Sequence, residues 1–168
     1  ELVDAGSQFA SFTPDVPGTY VFEVTVSDGD EEDTDAVTVT AGWDLRLSGS
    51  ITGDSTLVDR GAPYTVESSL STNAVLTIEP GVTIRFGQGA RLIVNSGGAL
   101  SAVGTETDSI RFLGSSEDEG HWQGIEISSN TATNHLSYVE VAHGGEGGWA
   151  NVWVHSGARA AIDNSLLR

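Results

Sequence analysis

The sequence predicts an all-β chain: a β-solenoid preceded by a small N-terminal β-sandwich fragment. The first observation is a recurrence of Ile or Leu every 26 residues, at Ile84, Ile110, Leu136 and Ile162, with the matched words Thr83-Ile84-Arg85-Phe86 and Ser109-Ile110-Arg111-Phe112. The second is a parallel register in which Trp122, Ile125 and Ile127 return 27 residues later as Trp149, Val152 and Val154. Fixed periods of this length mark stacked coils, in which no single repeat buries its apolar face without its neighbours. The third is period-two alternation punctuated by Gly, Pro and Asn, with no apolar i, i+3, i+4 stripe as long as about 12 residues.

From the N-terminus, residues 1–41 read as the last strands of a sandwich. Tyr20, Phe22, Val24 and Val26 form an apolar face alternating with Val21, Glu23, Thr25 and Ser27, and Val37 and Val39 repeat the pattern in Ala36–Thr40. Thr13-Pro14-Asp15-Val16-Pro17-Gly18 turns the chain into the long strand, and the Asp28-Gly29 step signals a hairpin. Residues 42–63 form a junction punctuated by Gly42, Gly49, Gly53, Gly61 and Pro63.

Residues 64–168 carry the coils. Leu76-Thr77-Ile78-Glu79-Pro80-Gly81-Val82-Thr83-Ile84-Arg85-Phe86 alternates inward apolar and outward polar residues around a Pro-Gly corner. Leu92 with Val94, Leu100 with Ala102, and Ile110 with Phe112 continue it. Asn95, Ser128 and His155 fall at corners, where small or polar side chains hydrogen-bond along a stack. Arg85 and Arg111, repeating with the coil, are expected to point outward as a ladder.

Two family resemblances rest on these words. Residues 11–29, from Ser11-Phe12-Thr13-Pro14 to Val26-Ser27-Asp28-Gly29, followed by Ala36-Val37-Thr38-Val39-Thr40, resemble the last strands of a PKD-type immunoglobulin-like sandwich. Such a domain has about seven strands, so the resemblance implies a partial or reduced one. Leu76-Thr77-Ile78-Glu79-Pro80-Gly81-Val82, Gly98-Ala99-Leu100-Ser101-Ala102-Val103-Gly104-Thr105, Ile110-Arg111-Phe112 and Trp122-Gln123-Gly124-Ile125 resemble the right-handed parallel β-helix of the pectin-lyase-like family. That resemblance implies the fold and leaves activity open.

Charge narrows the partners. Seven arginines, no lysine and 24 acidic residues give a formal net charge of −17, which opposes nucleic acid and anionic membranes because phosphate binding needs a clustered cationic footprint. No apolar run approaches the roughly 18 residues of a membrane span, so no membrane insertion is expected. Cysteine is absent, so neither disulfides nor thiolate metal sites contribute.

Three clusters are candidate sites. The carboxylates Asp28, Asp30, Glu32, Asp33 and Asp35 carry the Asp-x-Asp spacing that brings oxygen ligands to one side of a turn, with Asp28, Asp30, Asp33 and Asp35 the calcium candidates, against a plain solvated hairpin. A second acid run, Glu117-Asp118-Glu119, precedes His121 and Trp122. Trp153 alternates with inward Val152 and Val154 and should face solvent. With Trp149, Glu146 and His121 beside the run Gly144-Gly145-Glu146-Gly147-Gly148, it forms the candidate patch for a ligand or partner. The histidines lack metal-ligand spacing, no catalytic set is recognisable, and no cofactor other than calcium is implied.

The expected protein is therefore a noncatalytic structural or adhesive surface protein, secreted or displayed on a cell, whose scaffold presents loops to a polysaccharide or protein. The alternative is a polysaccharide-active lyase or hydrolase of the same fold. The absence of methionine, the half sandwich and the uncovered last rung at Leu166-Leu167-Arg168 read as a portion of a longer protein, or as an end on which another chain stacks in end-to-end self-association.

Overall fold

The structure, a computed structural model, describes residues 2–3, 5–7, 9–14 and 16–168, so Asp15 of the PKD-like stretch lies outside the described residues. The chain divides into two compact units, Glu1–Asp44 and Leu45–Arg168.

In the first unit β1 (Leu2–Val3) pairs antiparallel with β2 (Ser11–Phe12), and β3 (Gly18–Ser27) with β4 (Glu32–Ala41). The hairpin turns at Gly29, whose φ of 100° suits the Asp-Gly step. Phe12 packs on Tyr20 and Phe22 at centroid distances of 4.6 and 4.9 Å, and the Tyr20 hydroxyl donates to Val16 O at 2.5 Å. The expected inward face is covered only over this first half. Val24 and Val26, further along it, are 60% and 66% exposed.

The second unit is a β-solenoid of three parallel sheets, each with five strands. Sheet I holds β5 (Gly49–Ile51), β8 (Leu70–Thr72), β11 (Arg91–Val94), β14 (Gly124–Ile127) and β17 (Val152–Val154). Sheet II holds β6 (Ser55–Leu57), β9 (Val75–Ile78), β12 (Ala99–Val103), β15 (His135–Ser137) and β18 (Ala161–Asp163). Sheet III holds β7 (Tyr64–Val66), β10 (Thr83–Phe86), β13 (Ile110–Gly114), β16 (Val139–Val141) and β19 (Leu166–Leu167). The chain visits I, II and III in turn, so each visit adds one strand to each sheet. β5 and β6, inside the stretch expected as junction, already pair in parallel with β8 and β9.

Alternation does the folding. In β9, β10 and β11 every second residue is buried, and Leu76, Ile84, Phe86, Leu92, Leu100, Phe112, Trp122 and Ile125 join one core. Each fully buried aliphatic side chain contributes about 1.5–3 kcal/mol. Trp122 stacks on Phe86 with centroids 4.1 Å apart and planes at 9°, and its Nε1–H donates to Ala142 O at 2.8 Å, so its polar atom is satisfied inside the core.

The coils are unequal, and here the expected 26-residue ladder is corrected. Ile84 lies opposite Phe112, not Ile110; Ile110 lies opposite Val139; and Leu136, on sheet II, stacks between Ala102 and Ile162. On sheet I the partners Leu70, Leu92, Ile125 and Val152 are 22, 33 and 27 residues apart. Corners of different length absorb the difference, while a two-residue slip keeps every inward side chain inward because the strand period is two. The corners from II to III shrink to the single residue Tyr138, at φ 49°, between β15 and β16, whereas the last corner from III to I spans residues 142–151.

The longest corner from I to II, residues 128–134, leaves the Leu100 amide facing no strand. Buried Asn134 closes that gap: its Oδ1 accepts from Leu100 N at 2.9 Å and its Nδ2 donates to Ser129 O and Arg159 O at 3.1 and 3.0 Å. The side chain thus replaces the missing ladder bond. A continuous corner ladder through Asn95, Ser128 and His155 does not form. Asn73 Nδ2 instead bonds Ser50 Oγ at 3.0 Å, and His155 turns to Glu126.

Candidate functional site

The outer face of sheet I carries one column of side chains set by register: Ser50, Ser71, Ile93, Glu126 and Trp153 lie opposite one another on successive strands. Trp153 faces out, 42% exposed. Trp149 reaches the same face from the corner at residues 142–151, and the two rings lie 5.3 Å apart at 55°. The 27-residue spacing of Trp122 and Trp149 thus does not give them one role, since Trp122 is a core residue and Trp149 a half-buried surface one.

The corner loop explains the difference. Gly145, Gly147 and Gly148 have φ of 99°, 66° and 89° around the 3-10 turn Glu146–Gly148, conformations that L side chains rarely adopt. Gly144 N donates to Asn151 Oδ1 at 3.0 Å, and Asn151 Nδ2 to Arg168 O at 3.1 Å. Pinned at its end, the loop delivers Trp149 outside the core.

Charge surrounds the rings. The Arg91 guanidinium carbon lies 5.3 Å from the Trp149 centroid, a cation–π distance. Arg91 Nη1 lies 3.0 Å from Glu126 Oε2 without an N–H directed at that oxygen, so charge rather than a hydrogen bond holds it. His155 Nε2 sits 2.9 Å from Glu126 Oε1. Both Glu126 oxygens are thus engaged by neighbouring side chains. Arg91, Glu126 and His155 belong to this patch although sequence reading did not assign them to it; outward alternation would have placed them there once the strand register was known.

Of the remaining candidates, Glu146 sits at the same corner, its carboxylate beside Gly89 and its amide donating to Trp122 O at 3.0 Å. His121 turns toward sheet III, with Nε2 2.9 Å from Ser115 Oγ.

The hairpin carboxylates fold onto their own backbone. Asp28 Oδ1 accepts from Asp30 N and Glu31 N, both at 3.0 Å, and these amides, Glu31 first, hold its carboxyl below the ordinary aspartate range. Asp33 and Asp35 accept from Thr34 N and Ala36 N. Among the described residues no group of three or more His, Cys, Asp or Glu converges to hold a metal ion.

On sheet II, Asp163 takes the Ser137 hydroxyl on Oδ1 and lies 2.8 Å from His135 Nε2 through Oδ2. The order is wrong for a nucleophile: a hydrolytic triad needs the imidazole between serine and acid, and here the acid is central. Ser137, then His135, hold the Asp163 carboxyl below its usual range.

No helix among the described residues is long and apolar enough to cross a membrane. No protein-family model, no curated protein and no solved structure matches the chain.

Proposed function

We propose that this chain is part of a noncatalytic, extracellular structural or adhesive protein whose solenoid offers an aromatic platform to a polysaccharide. The observation that carries the reading is the Trp149–Trp153 pair beside Arg91, Glu126 and His155. The exposed Trp153 ring and the half-buried Trp149 ring supply apolar faces for sugar C–H surfaces, and the flanking polar groups supply hydroxyl partners. The loop is held by its Asn151 bonds, so little ordering entropy opposes binding. A right-handed, pectin-lyase-like coil is supported by the general preference of parallel crossovers for that hand. The PKD-like reading of the N-terminal unit is supported by the Tyr20 hydroxyl bonding a carbonyl four residues upstream, as tyrosine corners do, and by an apolar cleft of ≈ 510 Å³ beside Phe12, Phe22 and Val37, on the face where a second sheet would pack.

The convergence of Glu126 with His155 and Arg91 favours one second reading, a polysaccharide-active lyase or hydrolase. The engagement of both Glu126 oxygens weighs against it. Titration of the whole chain with a panel of neutral polysaccharides tests the first reading: Trp153→Ala is expected to weaken binding about tenfold, as loss of one stacked aromatic does. A reducing-sugar and unsaturated-product assay over a panel of acidic polysaccharides decides the second, because robust turnover overturns the noncatalytic assignment.

A further inference from the structure

The arginines are not spread evenly over this acidic chain. Four of the seven, Arg46, Arg85, Arg111 and Arg168, fall on the outer face of sheet III or its edge. Register explains how. Arg46, Thr65, Arg85 and Leu113 form one outward column, and Thr83, Arg111, Glu140 and Leu166 the next. Two clefts of ≈ 380 and ≈ 280 Å³ run along this face and share Arg85, Arg111 and Leu113 as a common wall. In the smaller, the side chains of three arginines (Arg85, Arg111, Arg168) meet those of two acids (Glu117, Glu140), so its side-chain lining is net cationic on a chain whose side chains sum to −17.

The pairing inside the cleft is specific. Glu140 Oε1 accepts from Arg168 Nε and Nη2 at 2.9 and 2.6 Å, and its Oε2 lies 3.9 Å from Arg111 Nε. Each guanidinium carries five N–H groups, so Arg111 and Arg168 keep donors that Glu140 does not take. Arg85 is half-buried, donates from Nη1 to Gly114 O at 3.2 Å, and forms no ion pair among the described residues. Holding a half-buried guanidinium without a carboxylate, on a chain with 24 acids, leaves charge for an outside partner.

We propose that this face is a second binding site, for a sulfate ester on a polysaccharide. Three forks reach the cleft from two columns and from strands about 4.8 Å apart, and a sulfate ester presents three terminal oxygens in tetrahedral directions to match them. A carboxylate presents two coplanar oxygens, which suit a single fork, and the protein's own Glu140 already fills that role. Leu113, half-buried between the arginines, supplies an apolar floor for the sugar ring. The site lies on a different sheet from the tryptophans and does not depend on them.

Calorimetric titration of the whole chain at roughly 0.15 M salt, where screening acts over about 8 Å, tests this with three size-matched oligosaccharides: sulfated, uronate-bearing and neutral. The sulfated one is expected to bind most tightly. Arg85→Gln and Arg111→Gln, each confirmed folded by its melting curve, should weaken it about tenfold, the loss for one charge-assisted hydrogen bond, and Arg85→Lys should recover part of that loss. Trp153→Ala should leave it unchanged, which separates this site from the aromatic platform. Failure of the sulfated probe to bind, equal binding of the uronate probe, or binding indifferent to both glutamine variants overturns the proposal.

Discussion

Gly124 shows how closely one rung constrains the next. Its φ is 109°, and a Cβ there would collide with the carbonyl oxygen of Ala150 and come within 2.8 Å of that of Asn151. Gly124→Ala is therefore expected to cost about 2–4 kcal/mol, strain and overpacking together. Gly53, with nothing within 4 Å of a built Cβ, should accept alanine within about 0.5 kcal/mol. Urea midpoints of the two variants check the contrast. At this scale the sequence was readable where alternation alone decides, as for outward Trp153, and misleading where a corner decides. Trp122 and Trp149 share a spacing, but one turns inward onto Phe86 and the other is carried out by glycines with positive φ, which spacing does not encode.

At the scale of the element, strands were legible and their partners were not. The alternation in β9, β10 and β11 gives each inward set directly. Pairing depends on how many residues the intervening corners consume, and those range from the single Tyr138 to residues 142–151. Arg85 and Arg111 therefore lie diagonally and share a cleft rather than stacking as a ladder. Glu140 and Arg168, 28 residues apart, meet only because β16 and β19 are neighbours. A pH effect belongs to this scale. The Asp163 carboxyl, which ties β18 to β15 through Ser137 and His135, has its pKa lowered by folding. A depressed folded pKa contributes stability above the unfolded value, and that contribution is lost as pH falls through the folded one. The stability gap between the native chain and Asp163→Asn should thus be present at neutral pH and close below about pH 4, as urea midpoints at several pH values would reveal. A gap that persists at pH 2 would contradict it.

At the scale of the whole chain, the two units differ in what protects them. β3 and β4 form a two-stranded ladder with exposed valines, and isolated hairpins are marginal in water. The middle rungs of the solenoid have strands on both sides and a shared core. Hydrogen exchange should therefore be slowest at Ile84, Phe86, Leu92, Phe112 and Ile125 and fastest along β3–β4. Equal protection in both units would contradict that ordering. Composition had made the chain's acidity plain, but not that its few cations gather on one face, because that asymmetry exists only after coiling.

The unequal corners give the circumference two kinds of ridge. Where the single residue Tyr138 turns β15 into β16, sheets II and III meet at a tight corner in that rung, and an added residue there must displace a strand. Where residues 142–151 join β16 to β17, the chain leaves the rung and returns to it with the stacking of Val141 and Val152 on the preceding strands intact. Loop length at that corner is decoupled from the core, so new sequence, and with it new recognition, can be grafted beside sheet I while the paired strands keep the rungs aligned.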